Sequence, residues 1–146
     1  MENIVKKFGA DHSRCDQIFA ETEELISDEN WVQGGARFLD FNNAMLHHFD
    51  VEETVLFPRV EEGNAMAGGP VQMMRSEHEQ MRDLLRIMSD AVERQDQDDY
   101  LGYAETLLII MQQHNTKEEQ ILYPMADQTL SAEIEDILQC LDAVSV

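Results

Sequence analysis

Met45-Leu-His-His-Phe-Asp-Val-Glu-Glu-Thr-Val-Leu-Phe-Pro58 decides the fold, because it returns 66 residues later as Met111-Gln-Gln-His-Asn-Thr-Lys-Glu-Glu-Gln-Ile-Leu-Tyr-Pro124. Met, His, Glu-Glu, Leu and Pro coincide in the two copies. The same offset carries His12 onto His78 and Phe19 onto Leu85, so the repeated unit reaches back through a preceding helix and is a helical hairpin. Turn signals fall where two hairpins need them, at Ser27-Asp-Glu-Asn30, from Glu62-Gly-Asn64 through Gly68-Gly-Pro70, and at Gln95-Asp-Gln-Asp-Asp99.

The reading is therefore all-α, an up-down-up-down four-helix bundle with helices over about 9–27, 31–58, 70–94 and 99–125. Pro70 suits the first turn of the third helix. Pro58 and Pro124 each remove an internal hydrogen bond, which predicts that the second and fourth helices end or kink beside them. A short fifth helix over about 131–141 aligns Ile134, Ile137, Leu138 and Leu141 on one side, to pack on the bundle or to form a homodimer contact. At this length the chain is expected to form a single domain over residues 1–146 with an adequate core.

A net charge of −20 opposes binding to nucleic acid or an anionic membrane, since both demand a basic face. The longest apolar run, Leu107 to Met111, is too short to span a bilayer, and residues 1–10 lack the apolar stretch of a signal peptide, so a cytoplasmic protein is expected. Cys15 and Cys140 form no C-x-x-C pair and read as reduced thiols.

Alternating spacings of three and four give each helix an inward seam. The first carries Phe8, His12, Cys15, Phe19, Thr22 and Ile26, and the second Trp31, Phe38, Phe41, Met45, His48, Glu52 and Val55. The third carries Met74, His78, Met81, Leu85, Met88 and Val92, and the fourth Ala104, Leu107, Met111, His114, Glu118 and Ile121. His12 and His48 are equidistant from the first turn, His78 and His114 from the third, and His48 and His78 from Gly63. In antiparallel hairpins that places all four imidazoles in one layer. Glu52 and Glu118 follow their histidines by four residues and lie on the same face one turn on.

Two carboxylates and four imidazoles left unpaired in an apolar interior would cost several kcal/mol each. Two divalent ions compensate them directly, each taking two histidines while Glu52 and Glu118 bridge, and a solvent-derived oxo or hydroxo oxygen completes the bridge. Five donors per ion leave each octahedral ion one open position. Nitrogen and oxygen donors without thiolate suit iron, manganese or zinc.

Other side chains read differently. His47 lies off the seam, its counterpart is Gln113, and it is taken as solvated. Glu53 and Glu119 face about a quarter turn away from the bridging acids and belong beside the ligands or on the surface. Asp16 stands four residues from His12, but its counterpart is Arg82, so an Asp16–Arg82 ion pair or plain solvation is expected. Cys15, Met45, Met81 and Met111 form an adaptable layer next to the histidines. Tyr123 replaces Phe57 of the first copy, and neither it nor Tyr103 is given a role. No nucleophile–base pair, phosphate-binding glycine loop or organic-cofactor motif occurs, so no catalytic residue is named.

The pattern His12, His48-Phe-Asp-Val-Glu52, His78 and His114-Asn-Thr-Lys-Glu118, with Glu-Glu-x-x-Leu-Phe-Pro following, resembles the hemerythrin-like, HHE cation-binding family over about residues 8–125. The resemblance implies a non-haem di-iron centre, with His12 and His114 on one iron and His48 and His78 on the other. Classical oxygen-carrying members resemble H…HxxxE…HxxxH…HxxxxD, whereas here Met74 stands at the first histidine of the third helix and Glu118 replaces a later aspartate. Four histidines with two glutamates look more like proteins of nitric-oxide stress and iron–sulfur cluster repair. The function implied is a di-iron protein that binds or reacts with O2 or NO, or holds iron for transfer. The alternatives are a reversible O2-binding or sensing module, and a structural or interaction bundle with zinc or no metal.

Overall fold

The computed structural model describes residues 2–143. The expected domain of 1–146 also includes Met1 and residues 144–146, which lie outside the described residues. Among the described residues no strand forms. Helix α1 spans Ile4–Ser27, α2 Trp31–Val51, α3 Phe57–Gly63, α4 Gly68–Arg94, α5 Gln97–Lys117, α6 Tyr123–Thr129 and α7 Ile134–Asp142. Single π-helical turns, Glu52–Leu56 and Glu118–Leu122, join α2 to α3 and α5 to α6. The four rods of the bundle are thus α1, α2–α3, α4 and α5–α6, each packed on its neighbours in sequence, with α1 closing the ring against α5 and α6. Among the described residues no helix is long and apolar enough to cross a membrane.

The duplication extends into the turns. Glu29 and Gln95, equivalent in the two copies, both adopt left-handed backbone at φ 57 and φ 54. Each is followed by a capping residue: Asn30 Oδ1 accepts from the Gln33 amide at 3.2 Å, and Asp96 Oδ1 from the Asp99 amide at 3.1 Å. Helix α1 begins earlier than expected because Asn3 caps it and Ile4 buries, while the Asp127 carboxylate accepts from the Ile4 and Val5 amides at 2.8 and 3.1 Å. A carboxylate at that end also favours the helix dipole.

Of the two outcomes expected beside Pro58 and Pro124, the helices do not end there but are locally distorted. A proline lacks the N–H and crowds the carbonyl four residues back. The chain answers by widening one turn: the Phe57 amide donates to Glu52 O and the Tyr123 amide to Glu118 O, five residues back, and the rods continue to Gly63 and Thr129. One extra residue per turn rotates everything beyond it. Val55 is consequently only half-buried and Ile121 is 53% exposed, and the seam passes instead to Leu56 and Leu122, then to Phe57 and Tyr123, all buried.

Two apolar clusters sandwich the polar layer. One holds Cys15, Phe19, Phe41, Met45, Met81 and Met111 toward the first and third turns. The other holds Phe8, Leu56, Phe57, Met74, Leu122 and Tyr123. Helix α7 spends its apolar side within the chain, burying Ile137, Leu138 and Leu141 in that second cluster.

Candidate metal centre

All six expected ligands, His12, His48, Glu52, His78, His114 and Glu118, are buried, with Glu52, His78 and Glu118 at 0% exposure. The layer expected from spacing is present: the His12 and His48 rings lie 4.7 Å apart and the His78 and His114 rings 4.9 Å apart. Both bridging candidates stand at the first position of a π turn, where such insertions commonly serve functional sites.

Every imidazole is held from behind by a carboxylate. His48 Nδ1 donates to Asp11 Oδ2 at 2.7 Å and His114 Nδ1 to Glu77 Oε1 at 2.8 Å. His78 Nδ1 donates to Glu53 Oε2 at 2.6 Å and His12 Nδ1 to Glu119 Oε2 at 2.8 Å. The four bonds obey the repeat, since Asp11 is equivalent to Glu77 and Glu53 to Glu119. A proton fixed on Nδ1 leaves the Nε2 lone pair for a metal, the orientation that carboxylate–histidine–metal triads use. Glu53 and Glu119 therefore stand beside the ligands. Sequence reasoning missed Asp11 and Glu77, although an acid before a seam histidine in both copies was a usable signal.

Of the two readings of Asp16, solvation holds: it is exposed, and Arg82 pairs instead with Glu53, at 2.7 Å, because Glu53 already lies against His78. His47 is half-buried rather than solvated, its Nε2 lying 3.1 Å from Leu141 O of α7.

The electrostatics show a cluster that needs positive charge. Burial depresses His48, but the Glu52 charge and the bonds to Asp11 and Glu52 outweigh it and raise it to about 10. His114 is likewise pushed down by burial and raised, by the charge and bond of Glu118 and the bond to Glu77, to about 10. Burial opposes ionisation of Glu52, yet His48 and His78 hold it well below the usual carboxylate range. Protons on imidazole thus occupy the place that a cation would take.

A metal fits these residues by a direct observation. Glu52 Oε1, Glu118 Oε2, His78 Nε2 and His114 Nε2 are buried without a well-directed hydrogen bond; His78 Nε2 and His114 Nε2 have only the Glu52 Oε1 and Glu118 Oε1 carboxylate oxygens beside them, at 3.0 and 3.1 Å. Buried groups of this kind are costly unless satisfied. Among the described residues, the donor atoms close enough to share an ion form two groups, His12, His48, Glu52, Glu118 and Glu52, His78, His114, Glu118. Both contain both glutamates. This grouping divides the histidines by hairpin, where the resemblance divides them between hairpins.

One residue of the centre was not anticipated. Tyr123 is fully buried, and its hydroxyl donates to Glu52 Oε2 while lying 2.9 Å from Glu118 Oε1, 3.1 Å from His12 Nε2 and 3.2 Å from His48 Nε2. Its counterpart Phe57 stacks on His78, with ring centroids 5.6 Å apart, and brings no polar atom.

Comparison with known proteins agrees with this chemistry. The family model of the hemerythrin HHE cation binding domain matches residues 3–126. An iron-sulfur cluster repair protein, YtfE, of Cronobacter sakazakii is 34% identical over 71 residues, covering 47% of this chain and 32% of that protein. No solved structure matches.

Proposed function

The chain belongs to the hemerythrin HHE cation-binding family, and from that premise we propose that it is a single-domain, non-haem di-iron protein that binds or reacts with O2 or NO, or holds iron for transfer. His12, His48, His78 and His114 are the nitrogen ligands, and Glu52 and Glu118 bridge. The observation that carries the reading is the division of buried donors into two four-residue groups sharing both carboxylates. One ion would leave two of the four imidazoles uncompensated. The similarity to an iron-sulfur cluster repair protein of C. sakazakii supports iron over zinc and a role near iron–sulfur cluster repair.

Iron held by these six residues would supply the redox and ligand-binding chemistry. The chain's own residues do the rest. Asp11, Glu53, Glu77 and Glu119 keep each Nδ1 protonated and aim each Nε2 inward. The apolar clusters on either side keep bulk water from the layer, where fixed charges act more strongly than in solvent. Apolar surroundings of this kind favour a small diatomic ligand over a large polar substrate.

The test is ligand reactivity of reduced, iron-loaded protein. Uptake of NO, read as an N–O stretch in the infrared, and one-way oxidation by O2 are expected. Unchanged spectra through repeated oxygenation and deoxygenation would overturn the reading in favour of a reversible carrier.

A further inference from the structure

We propose that the Tyr123 phenol oxygen is a seventh protein donor, bound to only one of the two irons, so that the exchangeable coordination position belongs to the other. The inference rests on the di-iron reading above and specifies it. Its basis is where the hydroxyl sits. The four side chains within its reach, His12, His48, Glu52 and Glu118, are the members of one donor group, and it touches neither His78 nor His114.

The distances suit a ligand. Neighbouring donors on an octahedral ion with bonds of about 2.1 Å stand about 3.0 Å apart. The hydroxyl lies 2.9, 3.1 and 3.2 Å from Glu118 Oε1, His12 Nε2 and His48 Nε2. One vertex of an octahedron adjoins four others, and Tyr123 occupies such a vertex over its four neighbours. With a bridging solvent oxygen that ion is saturated. Phe57 gives the other ion no counterpart, leaving it one position short. On binding iron(III) the O–H bond breaks, an iron–oxygen bond forms, the proton leaves to solvent, and no electron is transferred.

Iron(III) bound to a phenolate absorbs visible light by charge transfer and shows resonance-enhanced tyrosine ring vibrations. The experiment compares the parent with Tyr123→Phe, both iron-loaded and oxidised with ferricyanide, with iron content measured in the same samples. Phenylalanine fits there, as Phe57 shows in the other copy. The expected result is two irons in both proteins and a charge-transfer band only in the parent, whose ring modes shift when ring-deuterated tyrosine is incorporated. A fully loaded parent without the band, or a band that survives in Tyr123→Phe, overturns the proposal. Failure of the parent to hold two irons would instead count against the di-iron reading, and the two failures are separated by the iron analysis.

Discussion

Replacing Asp11 by alanine isolates the contribution of the carboxylates behind the imidazoles. Asp11 accepts from His48 Nδ1 at 2.7 Å with its own side chain only 12% exposed, so water replaces it poorly. His48 in turn holds the Asp11 carboxyl below its usual range, against the opposing effect of burial. A hydrogen bond to a charged group contributes about 1.5–3 kcal/mol. At about 1.4 kcal/mol per factor of ten, that is roughly a 10- to 150-fold loss of affinity, in line with the 10- to 100-fold seen when such ligand partners are removed. The assay is chelator competition on folded, metal-free protein, with thermal melts confirming the fold. Asp11→Ala should weaken the ion held by His12 and His48 by that factor and still saturate with two. The control is Asp16→Ala, one turn from His12 but exposed, which should bind as the parent does. Equal affinities for Asp11→Ala and parent, or an equal loss in Asp16→Ala, would refute the reasoning.

Three other outcomes follow from the same geometry. Glu52→Ala or Glu118→Ala removes a donor common to both groups and should release both ions together, and retention of one tight ion in elemental analysis would contradict bridging. Met74 is buried one turn before His78, so Met74→His should add an imidazole at the remaining open position; azide titrations should then lose their spectral change while two irons stay bound, and undiminished azide binding would show that residue 74 does not reach the metal. In metal-free protein, His48 and His114 are raised to about 10, so their stabilisation is complete below about pH 6.5 and disappears as pH climbs through about 10. Glu52, lowered, stabilises above about pH 4.5 and loses this as pH falls through its folded value. Melting of metal-free protein should thus be highest between those limits, and a flat profile to about pH 10 would argue against charged imidazoles.

The buried layer of His12, His48, Glu52, His78, His114 and Glu118 was legible because these residues obey two redundancies at once, helical spacing and internal repetition. Either alone would leave His12 or Glu118 indistinguishable from a core polar residue or a surface acid. What escaped was decided by the π turns. Val55 and Leu56 are both apolar, as are Ile121 and Leu122, so the pattern accepts either register, and only packing selects the wider turn beside each proline. That rotation brings the Tyr123 hydroxyl to Glu52, Glu118, His12 and His48. Periodicity treats Tyr123 and Phe57 as equivalent aromatics, and a hydroxyl that distinguishes two halves of a repeat leaves no trace in hydrophobic spacing. Of the two readings of Asp16 the solvated one holds and not the pair with Arg82, because repeat partners share a position in their own hairpins, which is not contact across the bundle.

Metal stoichiometry tests the whole account most directly. Protein expressed in iron-replete medium, purified without added metal and analysed for iron, manganese and zinc against a quantitative amino-acid concentration should carry two irons per chain. One ion per chain, or none, in folded protein would contradict a centre built on two donor groups that share Glu52 and Glu118.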